Sequence, residues 1–360
     1  MKLLSDYNNE VFDRLRFKKD SLADRAVQVL VSDANFAKEI NSWKFIPDSL
    51  PDDFPLELKQ YFDFYKNKLA ESSASKHEEA QAFFERNGGL YLAMLGFYSL
   101  PYCYAFADGA QVLVRSQRIL NQIGERLGET TRFVLDIFKP GAFSRQDEAF
   151  LTCARVRLIH AYSRYFIQMH AKDWNPAFGE PINQEDLLGT NLAFSHIVLR
   201  GMTKIGFGPT PKEHQALLWY WKWIGELMGV ETNLWPTTAK EAFELDRLIR
   251  RRQMKPSEEG KKLTRALLEF YQKNIQDSLL TSQLESMLAF FLGKEASKAV
   301  GISGQTPVPG DILGLFLKFS SFKTFGAVTN HESLRKNLER QQIQQFGKVL
   351  QLKIPELKRS

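Results

Sequence analysis

Six histidines and two cysteines are the side chains of this sequence best suited to hold a metal or attack carbon. Cys103 and Cys153 are too few for a disulfide framework or a Cys-rich zinc or iron–sulfur site. No Cys-x-x-Cys-His run is present, so a haem here would be held without covalent links. There is no Gly-x-x-x-x-Gly-Lys-Ser/Thr phosphate loop, no Gly-x-Ser-x-Gly elbow and no His-Glu-x-x-His helix. No Glu-x-x-His pair occurs, which argues against the usual di-iron bundle. His160 stands apart from the other histidines. In the run from Phe150 to Phe166 it shares a helical face with Ala149, Cys153, Val156, Ser163 and Ile167, residues spaced by threes and fours. That stripe is small and apolar except for the imidazole, a surface that a flat macrocycle can approach while one neutral nitrogen meets its iron. Arg157 and Arg164 flank the stripe and are placed to meet propionates. Spacing alone leaves two readings open, since a lone helical histidine is also an ordinary hydrogen-bonded core residue. His77 reads as part of a polar linker, His214 as near a helix start and His331 as the opening of the last helix. His170 reads as a helix end, where its charge suits the macrodipole, and His196 as lying in an apolar run without charged companions.

The elements that must position these residues are helices. Apolar residues recur at threes and fours in 56–69, 112–127, 149–169 and 187–200, and again in 213–228, 239–252, 263–275 and 334–352. Period-2 alternation is nearly absent, and Pro and Gly fall between the runs, at 46–51, 139–141, 206–211 and 307–310. No repeat of solenoid period is visible. The polar stretch 69–79 separates an N-terminal helical extension, 1–79, from a core at 80–300; a C-terminal helical extension follows at 301–360.

Composition narrows the partners. The 360 residues are 44% hydrophobic with 28 Phe, enough for a sizeable core and an internal pocket. The net charge is +6, but acidic and basic residues interleave, as in 241–252, which argues against nucleic acid. Asn87 to Ala107 carries no charged residue and is long enough to span a bilayer. Its glycines, Pro101 and scattered tyrosines favour a buried core helix over a span, since spanning helices keep Tyr at the interfaces. The segment suits core packing or an apolar substrate channel, and attachment to a membrane surface stays open. The N-terminus shows neither an apolar signal core nor a twin-arginine start, so a cytoplasmic location is expected.

Several motifs then fall into a familiar order. Arg126-Leu-Gly-Glu-Thr130 precedes Val156-Arg-Leu-Ile-His-Ala161. Gly179 to Thr190 with Phe194 follows, then Tyr220 to Val230 and Pro236. This set, over about residues 110 to 250, resembles the rubber oxygenases known as latex clearing proteins, a family that includes the oxygenase of the fungal mycophenolic acid pathway. The resemblance implies an all-α, globin-like helical core that carries haem b. It also implies His160 as proximal iron ligand, with Arg126 and Thr130 lining the pocket. Residues 126 and 130 are one turn apart, so one face can present both. Arg118, further along the same apparent helix, serves as a residue outside the pocket. The implied chemistry is O₂-dependent oxidation or cleavage of a carbon–carbon double bond in an isoprenoid-like compound.

Two departures from the pattern bear on the reaction. The rubber oxygenases carry a lysine before the threonine, where this chain has Glu129. That carboxylate is a candidate catalytic base or water-orienting group, or else it faces solvent. Rubber oxygenases are also secreted, so a smaller lipophilic alkene inside the cell is the expected partner of O₂ here. The alternatives are a haem protein without oxygenase activity, peroxidase-like or a haem or gas sensor, and a cofactor-free helical binding protein.

Overall fold

The computed structural model describes residues 2–72, 74–116, 122–275, 278–303 and 330–356. Among them there is no strand, only an isolated bridge between Phe106 and Met254. In chain order the helices are α1 (Lys2–Asp6), α2 (Asn9–Arg16), α3 (Ser21–Ser32), α4 (Ala34–Ser42), α5 (Leu56–Glu71) and α6 (Ala74–Met94). A π-helical turn, Leu95–Ser99, leads directly into α7 (Leu100–Tyr104), followed by α8 (Ala107–Arg115), α9 (Ile123–Phe138) and α10 (Glu148–His170). Next come α11 (Gln184–Leu192), a second π-helical turn (Ala193–Ile197), α12 (Val198–Lys204), α13 (Pro211–Leu227) and α14 (Ala239–Gln253). The last are α15 (Glu258–Asn274), α16 (Ser278–Ser282), α17 (Leu284–Ala299) and α18 (His331–Phe346).

Local chemistry sets most boundaries. Asp147 caps α10 by accepting the Ala149 N–H at 2.8 Å, and Asn183 caps α11 through Asp186 N at 3.0 Å. Thr210 and Glu213 form a capping box on α13, with Pro211 in the first turn, where its missing N–H costs nothing. Gly347, at φ +70°, ends α18 in the left-handed conformation. The described chain beyond it is not helical, so the apolar spacing read as helix to residue 352 stops at Phe346.

The run 112–127 is not one helix. The α8 helix ends at Arg115, and α9 starts after Gln122, whose φ of −137° and ψ of 41° are non-helical. Arg118 and the loop at 307–310 lie outside the described residues. The polar stretch 69–79 is mostly helical as well, broken only after Glu71.

The N-terminal helices are built into the core. Phe12, Val27, Leu30 and Tyr61 share one apolar cluster with Leu158 and Tyr162 of α10, and α3 lies along α10. No helix among the described residues is long and apolar enough to cross a membrane. Asn87–Ala107 runs from the end of α6 through the first π turn and α7 to the start of α8, with Tyr91, Tyr98, Tyr102 and Tyr104 all buried.

Candidate cofactor and substrate site

The stripe on α10 turns His160 toward a cavity bounded by α7, α8, α9, α11 and α13. The cavity has two compartments, of about 210 and 240 Å³, and His160, Arg126, Ile159 and Thr190 line both. Together they fall in the size range of small-molecule sites. The larger compartment is walled by Leu100, Leu113, Phe133, Phe194 and Trp221. These walls are themselves fixed by hydrogen bonds: Trp221 Nε1 donates to Tyr91 Oη at 2.8 Å, and Tyr91 Oη donates to the Phe194 carbonyl at 2.5 Å.

Burial holds the His160 imidazole far below its usual range, at about 3, and the nearby guanidinium groups of Arg164 and Arg126 act in the same direction. The ring is therefore neutral at physiological pH, with a nitrogen lone pair free for a metal. Its Nδ1 is buried with no hydrogen-bond partner among the described residues.

Opposite, on α9, Arg126 Nη1 donates to Glu129 Oε2 at 2.8 Å, and Thr130 Oγ1 donates to the Arg126 carbonyl at 2.9 Å. All three residues line the larger compartment. Glu129 is buried and does not face solvent. The cation beside it is Arg126, one turn away.

Arg157 and Arg164 require a correction. Arg157 grips Asp20 through Nε at 2.6 Å and Nη2 at 2.8 Å, and Arg164 Nε donates to Asp24 at 2.6 Å. Both guanidiniums are buried against α3, away from the cavity lining. Each is already matched by a carboxylate, so neither is available to a propionate. Arg126 is the arginine that lines the cavity, in both compartments, with Nη1 on Glu129.

The other histidines also move. His77 is buried in α6 with Phe143, Trp219, Tyr220 and Trp223 around it, their ring centroids 5.4–5.6 Å away. His331 is buried, with Nε2 2.6 Å from the Leu135 carbonyl. His196 is buried and sees Arg200 and Asp246, so it does have charged neighbours. His170 is exposed and stacks on Phe166, and half-buried His214 faces His196 with ring centroids 5.8 Å apart.

Sequence reasoning missed the polar end of the smaller compartment, where Glu185, Asp186 and Gln253 meet. Burial raises the Asp186 carboxyl to about 6 despite Arg16 beside it. Glu185 accepts from Arg252 Nε at 2.7 Å. Arg16 pairs with both carboxylates, at 3.3 Å to Glu185 and 3.2 Å to Asp186, so this end of the compartment is a closed ion-pair network. The motif 179–190 carried the signal for Glu185 and Asp186, although nothing in it said that they converge on His160.

A neutral buried imidazole, an apolar slot between two helices and a lining guanidinium form a donor set that fits haem. Folded, the chain is an all-α protein with an internal apolar cavity around a single histidine. It belongs to the family described as ER-bound oxygenase mpaB/B'/Rubber oxygenase, catalytic domain, whose model matches residues 97–319. A rubber oxygenase of Streptomyces sp. (strain K30) is 21% identical over 270 residues, a match that covers 74% of this chain and 65% of that protein. Latex clearing protein in its closed state superposes with a TM-score of 0.69 at 19% identity, covering 90% of each chain. At that identity the superposition establishes the fold.

Proposed function

We propose that this chain holds haem b between α9 and α10 with His160 as proximal ligand. Its activity would be O₂-dependent oxidation or cleavage of a carbon–carbon double bond in a lipophilic, isoprenoid-like compound. The observation that carries this reading is the neutral His160 imidazole facing an apolar cavity, with Arg126, Glu129 and Thr130 on the opposing helix. Membership in an oxygenase family supports it.

Bound there, the haem would supply oxygen activation, while the protein supplies ligation, shape and charge. Arg126 offers the cation for a propionate edge. Leu113, Phe133, Phe194 and Trp221 exclude water and accept a hydrocarbon chain. Glu129 Oε2, held by Arg126, is placed to take a proton or orient a water at the cavity wall. The expected substrate is a small lipophilic alkene inside the cell and not solid polyisoprene.

An absorption spectrum of the purified chain, before and after haem addition, tests the cofactor. Incubation of unsaturated lipophilic compounds under ¹⁸O₂, followed by mass spectrometry, tests the reaction. Failure to develop a Soret band would end the haem assignment. A Soret band without oxygen incorporation would favour a peroxidase-like protein or a sensor.

A further inference from the structure

A second cavity, of about 210 Å³, lies on the far side of α9 between the first π turn, α15 and α18. Its walls include Leu92, Phe97, Ile275 and Leu338, and Leu127 lines both this cavity and the larger compartment at His160. Within this apolar lining one buried polar atom has no partner among the described residues: Gln342 Nε2. Gln342 is only 2% exposed.

The orientation of that amide is fixed. Its Oε1 accepts the Leu350 backbone N–H at 3.0 Å, and a backbone N–H can only donate. The oxygen must therefore face Leu350, and the NH₂ group points away from it. A Cβ at residue 128 would stand 2.9 Å from Nε2 and 2.8 Å from Leu350 Cδ1, so Gly128 leaves the room the amide needs. The other hydroxyls of the lining are already committed: Tyr271 Oη donates to the Gly96 carbonyl at 3.0 Å, and Thr131 Oγ1 to the Leu127 carbonyl at 2.9 Å.

A buried donor without an acceptor is unfavourable, and an apolar chamber around it calls for a ligand that is hydrocarbon apart from one acceptor oxygen. We propose that this cavity binds an apolar molecule carrying a carbonyl group, with the carbonyl oxygen accepting from Gln342 Nε2. The site itself stands on Gln342 and its chamber. Its link to turnover rests on the oxygenase reading. Cleaving one C=C bond with one O₂ breaks that double bond and forms two C=O bonds, one oxygen atom to each carbon. The carbonyl compounds so formed have the chemistry this chamber accepts, and Leu127 is the side chain between the two sites.

The test uses the full chain and a ¹³C-carbonyl-labelled 2-undecanone, with 2-methyl-1-undecene as the isosteric hydrocarbon. Saturable binding should move the carbonyl resonance upfield from its value in water, and further upfield in Gln342→Leu, where the amide donor is missing. Gln342→Leu should weaken the ketone about fivefold to tenfold, the worth of one neutral hydrogen bond, and leave the alkene unaffected. Asn274→Trp, at the exposed rim of the chamber, should block both. This variant keeps the test decisive should the Leu350 contact prove essential to folding in Gln342→Leu. His160→Ala should bind the ketone normally, which separates this site from the haem assignment. An unshifted carbonyl, a ketone-to-alkene affinity ratio that Gln342→Leu leaves unchanged, or an Asn274→Trp variant that binds normally would each overturn the proposal. So would a chamber that takes only water, with no saturable ketone binding.

Discussion

One turn of α9 ties Arg126 to Glu129, Nη1 to Oε2 at 2.8 Å, with both side chains on the wall of the His160 cavity. As a stabilising pair it is minor, since an i,i+3 contact within one helix contributes a few tenths of a kcal/mol. Its consequence lies in placement. Glu129→Gln keeps the size and removes the charge. It should retain haem, change the pH dependence of the visible spectrum and slow alkene oxidation by about 10²-fold or more. Wild-type rates with an unaltered pH profile would show that Glu129 only steadies the helix.

Removing His160 tests the ligand directly. His160→Ala should lose most haem after reconstitution while its far-ultraviolet circular dichroism stays near that of the parent. A full Soret band with an unchanged ligand signature would point to another residue.

Arg126→Ala and Thr130→Ala should lower haem retention or shift the Soret band. Arg86→Ala, whose side chain pairs with Glu213 on the surface, should do neither. Identical spectra for all three variants would remove α9 from the haem pocket.

The Asp20–Arg157 pair predicts a different phenotype. Both groups are buried and doubly hydrogen-bonded, so Asp20→Asn leaves a buried guanidinium uncompensated. Breaking such a pair costs about 3–5 kcal/mol, visible as a lower urea midpoint. Haem bound per folded chain should stay unchanged. Haem loss at full stability would return Arg157 to the pocket.

His196 predicts an acid dependence of stability. Burial holds it at about 4, against an ordinary value of 6.5, with Arg200 and His214 adding repulsion and Asp246 opposing it. Below pH 6.5 the unfolded chain takes up a proton that the folded chain refuses, so stability falls as pH drops from 6.5 toward 4. The slope from this one group is about 1.4 kcal/mol per pH unit, and below pH 4 it vanishes. Urea midpoints across this range should show His196→Leu with a slope shallower by one proton. An unchanged slope would mean that the ring titrates in the fold.

Period and motif were enough to establish the all-α class, the α10 helix with His160 on a small apolar stripe, and the one-turn spacing of Arg126 and Thr130. These depend on contacts within one or two turns, which the order of residues dictates. Tertiary structure decided the rest. Helical spacing places Arg157 and Arg164 beside His160, but their partners, Asp20 and Asp24, lie 137 and 140 residues away. Only the docking of α3 turns two apparent propionate ligands into buried ion pairs. His77 sits in a polar run by composition, yet the aromatic rings that bury it come from elsewhere in the chain. The unpartnered amide of Gln342 is equally hidden, because it exists only where α18 meets Gly128 of α9. A sequence records which side chains share a face; what that face meets is settled by the free energy of packing distant segments together.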